Sequence, residues 1–285
     1  MGTGQRLDTS GKSRHGRRIA DHIYKSANLP PVALLTAGAG WVQIAQILAA
    51  APSTQSQPMK YVIDPPRQAA LPIRGSTELF PVHRVYCIGR NYAEHAREMG
   101  HDPNKEPPFF FQKNPDNLRT DGKFPYPPGT SDVHFEIEMI VALKSGGKDI
   151  KAEDALSHVW GYGIGLDMTR RDLQGEAKKL GRPWEIGKAF EHSAPCTPLV
   201  SVAETGHPTT GAIWLDVNGK RRQSGDLNQM IWDIPGQIAY ISSLFELKAG
   251  DIIMTGTPSG VGAIVKGDKL HGHVDGVGDL EVAVV

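Results

Sequence analysis

The chain has 285 residues, 39% of them hydrophobic and 22% charged, a composition that can bury a sizeable core and that excludes disorder for the bulk of it. Lys plus Arg number 31 and Asp plus Glu number 31. A formal charge of zero argues against nucleic-acid binding as the main task, because neutralising phosphates needs a surplus of basic side chains. Length alone allows one large domain or two small ones. The 32 glycines and 21 prolines make up about a fifth of the chain, against an average of roughly 12%, which points to turns and strands rather than a helical bundle. Cys87 (VYCIG) and Cys196 (APCTP) have neither a CxxC nor a zinc spacing and read as buried free thiols in a reducing compartment, so a cytoplasmic location is expected.

Residues 1–58 differ from the rest. They hold six basic residues (Arg6, Lys12, Arg14, Arg17, Arg18, Lys25) against Asp8 and Asp21, while residues 59–285 hold 25 basic and 29 acidic ones. A basic stretch, the apolar LPPVALLTAGAGWVQIAQILAAAP and its small-residue end have the outline of a secretory signal. Pro30, Pro31, two glycines, Gln43 and Gln46 interrupt the apolar run, so it fits a signal poorly, and the reading as the roughly 20 apolar residues of a membrane helix is weakened too. The preferred reading is an extension of little structure, with Met59 as the natural start. An exported or membrane-tethered form and a functional extension stay open beside it.

From Met59 on, residues 59–81 read as a small strand-bearing piece and 82–285 as the main domain. RVYCIG is a strand ending at Gly89, and NYAEHAREMG a short helix with Asn91 as N-cap and Gly100 past its end. Residues 101–131 are Pro-rich loop around the strand PPFFFQK. FEIEMIVAL, GYGIGLDM, PLVSV, AIWLDVNG and DIIMTG all read as strands, several closed by Gly or Asn-Gly. RRDLQGEAKKLG and GQIAYISSLFEL read as helices, the second with Pro235 in its first turn. Many strands and few helices, in no regular βαβ order, argue for an α+β or all-β core.

FEIEMIVAL places Glu136 and Glu138 two apart on a strand, hence on one face, with Phe135, Ile137, Met139 and Val141 on the other as core. A lone ExE is ordinarily a solvated acidic face. Here apolar residues flank it on both sides, which favours a buried pair around a hard cation, because two adjacent carboxylates repel unless a cation or proton lies between them. Asp167, at the end of GYGIGLDM, offers a third oxygen ligand. Two Glu and an Asp with no Cys nearby suit Mg²⁺ or Mn²⁺ better than Zn²⁺. His95 and Glu98, three apart, are neighbours on a helix face. A Glu accepting from one imidazole nitrogen leaves the other free to take a proton from water, and an ordinary exposed helix pair is the alternative. Arg90, Lys113, Arg171, Gln174 and Lys188 lie in or beside apolar strand ends and together would bind an anionic oxo acid. TGTPSGVG (255–262) has successive amides and the Thr257 hydroxyl, able to seat a carboxylate. It is not a P-loop, and no GxGxxG follows a strand to mark a dinucleotide site.

Together GRNYAEHAREMG (89–100), FFFQK (109–113), HFEIEMIVAL (134–143), GYGIGLDMTRRDLQ (161–174), GKAF (187–190) and DIIMTGTPSGVG (251–262) resemble the fumarylacetoacetate hydrolase family, in its order, over about 82–285. PPFFFQK, the RRDLQGEAKKLGRPWEIGKAF run and SAPCTP look most like the branch that cleaves fumarylpyruvate in the gentisate route of aromatic breakdown. The resemblance implies a mixed β-sandwich roll, α+β in class, usually dimeric, with the His-bearing helix as a lid. It implies Glu136, Glu138 and Asp167 as ligands of Mg²⁺ (or Mn²⁺) and His95 with Glu98 as the water-activating pair. Lys113, Gln174 and Lys188 become substrate and oxyanion contacts, with Lys113 facing the tetrahedral oxyanion, and Arg90, Arg171 and Thr257 support the pyruvyl end. His192 and Ser193 receive no role. The expected activity is metal-dependent C–C hydrolysis of a 2,4-dioxo acid, fumarylpyruvate to fumarate and pyruvate. Acetylpyruvate hydrolysis, oxaloacetate decarboxylation and 2-oxo acid isomerisation are the alternatives within the family, and a non-catalytic binder is not expected. The far carboxylate needs a cation, for which Lys178, Lys179 and Arg182 are the candidates.

Overall fold

The computed structural model describes residues 59–100, 102 and 108–285. The extension expected over 1–58 lies outside the described residues. Residues Pro66–Val285 form a compact unit of their own, whose described residues form eighteen strands and six α-helices in no regular order. Among the described residues no helix is long and apolar enough to cross a membrane.

Two sheets carry the architecture. The larger has six strands in the spatial order Val200–Ser201, Val159–Leu166, Ile137–Leu143, Ile252–Met254, Val85–Gly89 and Phe109–Lys113. It is antiparallel except where Ile252–Met254 runs parallel to Val85–Gly89. The second has five strands, in the order Lys220–Asp226, Ala212–Val217, Lys269–Val274, Gly278–Val284 and Lys123–Phe124. Its first hairpin turns at Asn218 and Gly219, with φ of +53° and +75°, the left-handed pair that an Asn-Gly hairpin requires.

Ile137–Leu143 is buried at every position because both faces of its sheet are covered. Ile137, Met139, Val141 and Leu143 pack into the main core with Ile213, Leu215 and Leu270 of the five-stranded sheet. Ile140 and Ala142, on the opposite face, pack into a second core with Cys87, Ile252 and Met254. Leu71 and Phe80, from the hairpin Ala70–Pro72 and Leu79–Pro81, join that second core. The glycine-rich strand beside it has a packing reason: a Cβ at Gly165 would lie 2.8 Å from Ile140 Cδ1.

Three local expectations need correction. FEIEMIVAL is not one strand. Val133–Phe135 belongs to a small sheet with Thr169–Arg170 and Gly262–Ile264, and Glu136 sits at the break before Ile137–Leu143 joins the large sheet. The alternation survives the break, so Glu136 and Glu138 still share a side. Asn91 is not an N-cap: the helix Ala93–Glu98 starts after Tyr92 with no side-chain cap, because Asn91 spends its amide on distant backbone. PLVSV forms only the strand Val200–Ser201 before turning into the short helix Val202–Thr205. The helices Arg171–Lys179 and Ile234–Leu244 occur where the periodicity places them, the second capped by Asp233, which accepts from Gly236 N at 2.8 Å.

Candidate active site

Glu136, Glu138 and Asp167 converge where the start of the strand Ile137–Leu143 pairs with the end of its antiparallel neighbour Val159–Leu166. The ladder runs on past Glu138 opposite Gly165, and Asp167 N–H donates to Glu136 O at 2.8 Å. That register brings one oxygen from each carboxylate within 4.8 Å of the others, and all three residues are buried. Lys188, from the short helix Glu185–Lys188, reaches between two of them, 2.8 Å from Glu136 Oε2 and 2.6 Å from Asp167 Oδ2. Arg171 donates to Glu136 Oε1. Glu138 instead takes the Gly256 N–H at 2.9 Å.

The environments push the two glutamates apart. Burial raises Glu136, but the Lys188 and Arg171 charges outweigh it and hold the carboxyl well below the usual range. Burial, with Asp167 and Glu136 beside it, pushes Glu138 well above the usual range. Three buried oxygen ligands with too little positive charge at Glu138 fit a hard divalent cation. So does Asp167 Oδ1: it lies 2.8 Å from the Lys113 ammonium, yet no donor is aligned to form a hydrogen bond with it.

Lys113 does not face the pocket. Its ammonium donates to Met168 O (3.2 Å), Lys188 O and Ser193 Oγ (3.0 Å) and touches Asp167 Oδ1, with no exposed side-chain surface. Enclosed by those acceptors it braces the triad from behind, so the oxyanion contact expected of it has no path to the substrate. Ser193, which had no role from sequence, accepts from Lys113 and donates to Lys188 O at 3.1 Å. His192 lies against Arg119 instead.

The triad opens into a pocket lined also by Arg90, His95, Phe109, Arg171, Gln174, Lys178, Trp184, Lys188 and Thr257. His95 is buried, with Nδ1 3.2 Å from Glu98 Oε2. The His95 hydrogen bond holds the Glu98 carboxyl below the usual range, with the Gly260 N–H, 3.1 Å from both its oxygens, helping against burial. An ionised Glu98 draws a proton donor at Nδ1, which leaves Nε2 as the basic nitrogen of the ring. The 255–262 loop was expected to seat a substrate carboxylate. Its Gly256 and Gly260 amides hold the protein's own Glu138 and Glu98. Buried Gln223 fixes the loop by donating to Thr257 Oγ1 (2.8 Å) and Pro258 O (2.7 Å) while accepting from Ile137 N, which leaves the Thr257 hydroxyl proton to donate into the pocket. Gln223 carried no local signal, since its partners are distant in sequence. Cys87 and Cys196 are buried and free, and burial pushes Cys196 up to about 12, so it is no nucleophile.

Residues 84–285 match the family model described as fumarylacetoacetate (FAA) hydrolase C-terminal, and the chain belongs to the fumarylacetoacetate hydrolase family. A fumarylpyruvate hydrolase of Ralstonia sp is 41% identical over 184 residues, 64% of this chain and 95% of its own. An oxaloacetate tautomerase of Escherichia coli (strain K12) is 42% identical over 200 residues, 69% of this chain and 90% of its own. The crystal structure of fumarylpyruvate hydrolase from Pseudomonas aeruginosa, in complex with Mn²⁺ and pyruvate, is 50% identical with a TM-score of 0.78, covering 79% of this chain and 99% of that one. Relatives named for hydrolysis and for tautomerisation thus both match this chain over nine tenths or more of their own length.

Proposed function

We propose that the protein cleaves an acylpyruvate, fumarylpyruvate to fumarate and pyruvate, as a step of aromatic-compound breakdown by the gentisate route. The observation that carries the reading is the opening of His95, held by Glu98, and the carboxylate triad onto one pocket. Charge supports it. Arg90, Arg171, Lys178 and Lys188 line the pocket against Glu136, Glu138 and Asp167, a surplus of one positive charge that a divalent cation raises to three, which suits a dianion. Mg²⁺ or Mn²⁺, a homodimer and a cytoplasmic location belong to the same reading, the cation on the all-oxygen ligand set, the homodimer on the family and the location on the two free cysteines.

Glu136, Glu138 and Asp167 would hold the cation, which supplies Lewis-acid polarisation of the 2-oxo acid and makes an enolate a tolerable leaving group. Arg171, Gln174 and the Thr257 hydroxyl bind the pyruvyl end. His95 Nε2, oriented by Glu98, takes a proton from water as its oxygen adds to the distal carbonyl. Lys188, which lines the pocket where Lys113 does not, is the ammonium that faces the oxyanion, a contact whose loss typically costs about 100-fold or more in rate. The C–C bond then breaks, its electron pair leaves with the pyruvate enolate, and the proton on His95 returns to the enolate carbon. Water and acylpyruvate thus become one carboxylic acid and pyruvate.

The test is the loss of the enol absorbance of fumarylpyruvate with Mg²⁺ and with EDTA, with acetylpyruvate and oxaloacetate run alongside. Metal-dependent loss with fumarate and pyruvate in equal amounts supports the reading, and His95→Ala should abolish it while metal still binds. Turnover of oxaloacetate between its keto and enol forms, with fumarylpyruvate untouched, would replace it with the tautomerase reading that the Escherichia coli relative favours.

A further inference from the structure

We propose that Lys178, lying over Trp184, is the receptor for a terminal carboxylate on the substrate, in the pocket that the triad opens into. The inference rests on the oxo-acid reading of the site. The helix Arg171–Lys179 presents Arg171, Gln174 and Lys178 to the pocket, spaced i, i+3 and i+7 along one face. Arg171 holds Glu136 and donates to Gln174 Oε1 at 2.8 Å, so that end of the row belongs to the triad. Lys178 stands seven residues further, about 10 Å along the axis at roughly 1.5 Å per residue.

Lys178 is also a pocket cation with no carboxylate of its own among the described residues. Lys113, Lys188 and Arg171 are paired with Glu136 or Asp167, whereas none of the described carboxylates forms an ion pair with Lys178. Its ammonium lies 4.8 Å from the centre of the Trp184 ring. Trp184 meets Phe109 edge to face at 5.0 Å, and Phe109 carries Arg90 at 5.2 Å. Two cations thus stand over two touching rings, with Arg171 nearby. Burial, then Arg171 and Arg90, bring Lys178 down to about 8, a repulsion that a bound anion relieves. The ring also holds the lysine stem in place, which limits the ordering lost on binding. Of the other candidates, Lys179 is exposed and Arg182 lines a separate cleft with Leu173 and Ile186.

The consequence is a preference for a chain that ends in carboxylate over one of equal length that ends in methyl. It is read by calorimetry with Mg²⁺ present, comparing 2-oxopimelate with 2-oxoheptanoate, so no turnover is needed. The wild type should bind the diacid more tightly, and Lys178→Met should weaken the diacid by about tenfold to a hundredfold, the worth of one charge-assisted hydrogen bond. Binding of 2-oxoheptanoate should stay unchanged, which also shows the variant folded, and Lys178→Arg should recover most of the difference. No preference in the wild type, an equal loss for both acids, or a preference that survives Lys178→Met would overturn the assignment. Failure to cleave fumarylpyruvate would sink the reaction while this ratio is still read, and an unmoved ratio would sink the receptor while the reaction stands.

Discussion

Asn91→Ala should destabilise the protein by about 3 kcal/mol and weaken the site with it. Asn91 is fully buried. Its Nδ2 donates to Trp232 O at 2.9 Å and Thr255 O at 2.8 Å, and its Oδ1 accepts from Trp232 N at 2.7 Å. These bonds tie the approach to the His95 helix to the loop whose amides hold Glu138 and Glu98. Three hydrogen bonds at about 0.5–1.5 kcal/mol each give about 3 kcal/mol, and taking the Asn91 donor away from the buried Thr255 O pushes the figure up. For a unit of this size, about 2–4 °C per kcal/mol makes a fall of about 6–12 °C in Tm. Urea titration at a common slope measures the free energy, and Asn91→Asp supplies the control. Aspartate keeps the size and the acceptor for Trp232 N but turns a carboxylate oxygen toward two carbonyls, so it should be at least as damaging as alanine. A loss under about 1 kcal/mol for Asn91→Ala, or wild-type stability for Asn91→Asp, would refute the account on the same hydrogen-bond magnitudes.

Gly256→Ala tests the same loop from the other side. Gly256 has φ +97°, and a Cβ there would lie 2.6 Å from Asn91 Cβ, so the loop or Asn91 has to shift, which loosens the amide's hold on Glu138. Affinity for Mn²⁺, followed by electron paramagnetic resonance, should drop by about tenfold to a hundredfold, as for other groups that orient a ligand; an unchanged affinity would mean that the Gly256 amide does not position Glu138. On the second sheet, burial disfavours a charge on His273, but its bonds to Asp279 and Asp275 outweigh this and raise it. Its stabilisation is therefore full below about 6.5 and fades as pH rises through the raised value. Asp275 is held low by the Ala212 N–H and His273, and Asp279 by His273, so their share is present above about 3.9 and lost as pH falls through the lowered values. The Tm gap between wild type and His273→Gln should be widest at about pH 4–6.5 and close toward alkaline pH; a gap of constant size across that range would count against the charge network.

The residues that assemble the site differ in how far sequence alone could place them, and the difference follows the range of the interactions. Glu136, Glu138, His95 and Glu98 stand in short periodic patterns, so strand alternation and helix spacing already align them. The same period held Lys178: 171, 174 and 178 lie on one helix face, which separates it from Lys179 without any tertiary information. Asn91 reads locally as an N-cap because its partners, Trp232 and Thr255, are 141 and 164 residues away, and no local pattern reports on them. Lys113 fails for the same reason. Ser193, Met168, Asp167 and Lys188 all come from distant segments, and only their convergence turns an apparent substrate contact into a buried brace. Glu136 shows a further limit. Alternation is kept through its position, yet the strand leaves one sheet and enters another there, because the partners on either side differ and pairing is decided across the sheet. The chemistry was therefore written in residue types at local spacing, while the division of labour among the lysines was written in contacts between segments far apart in the chain.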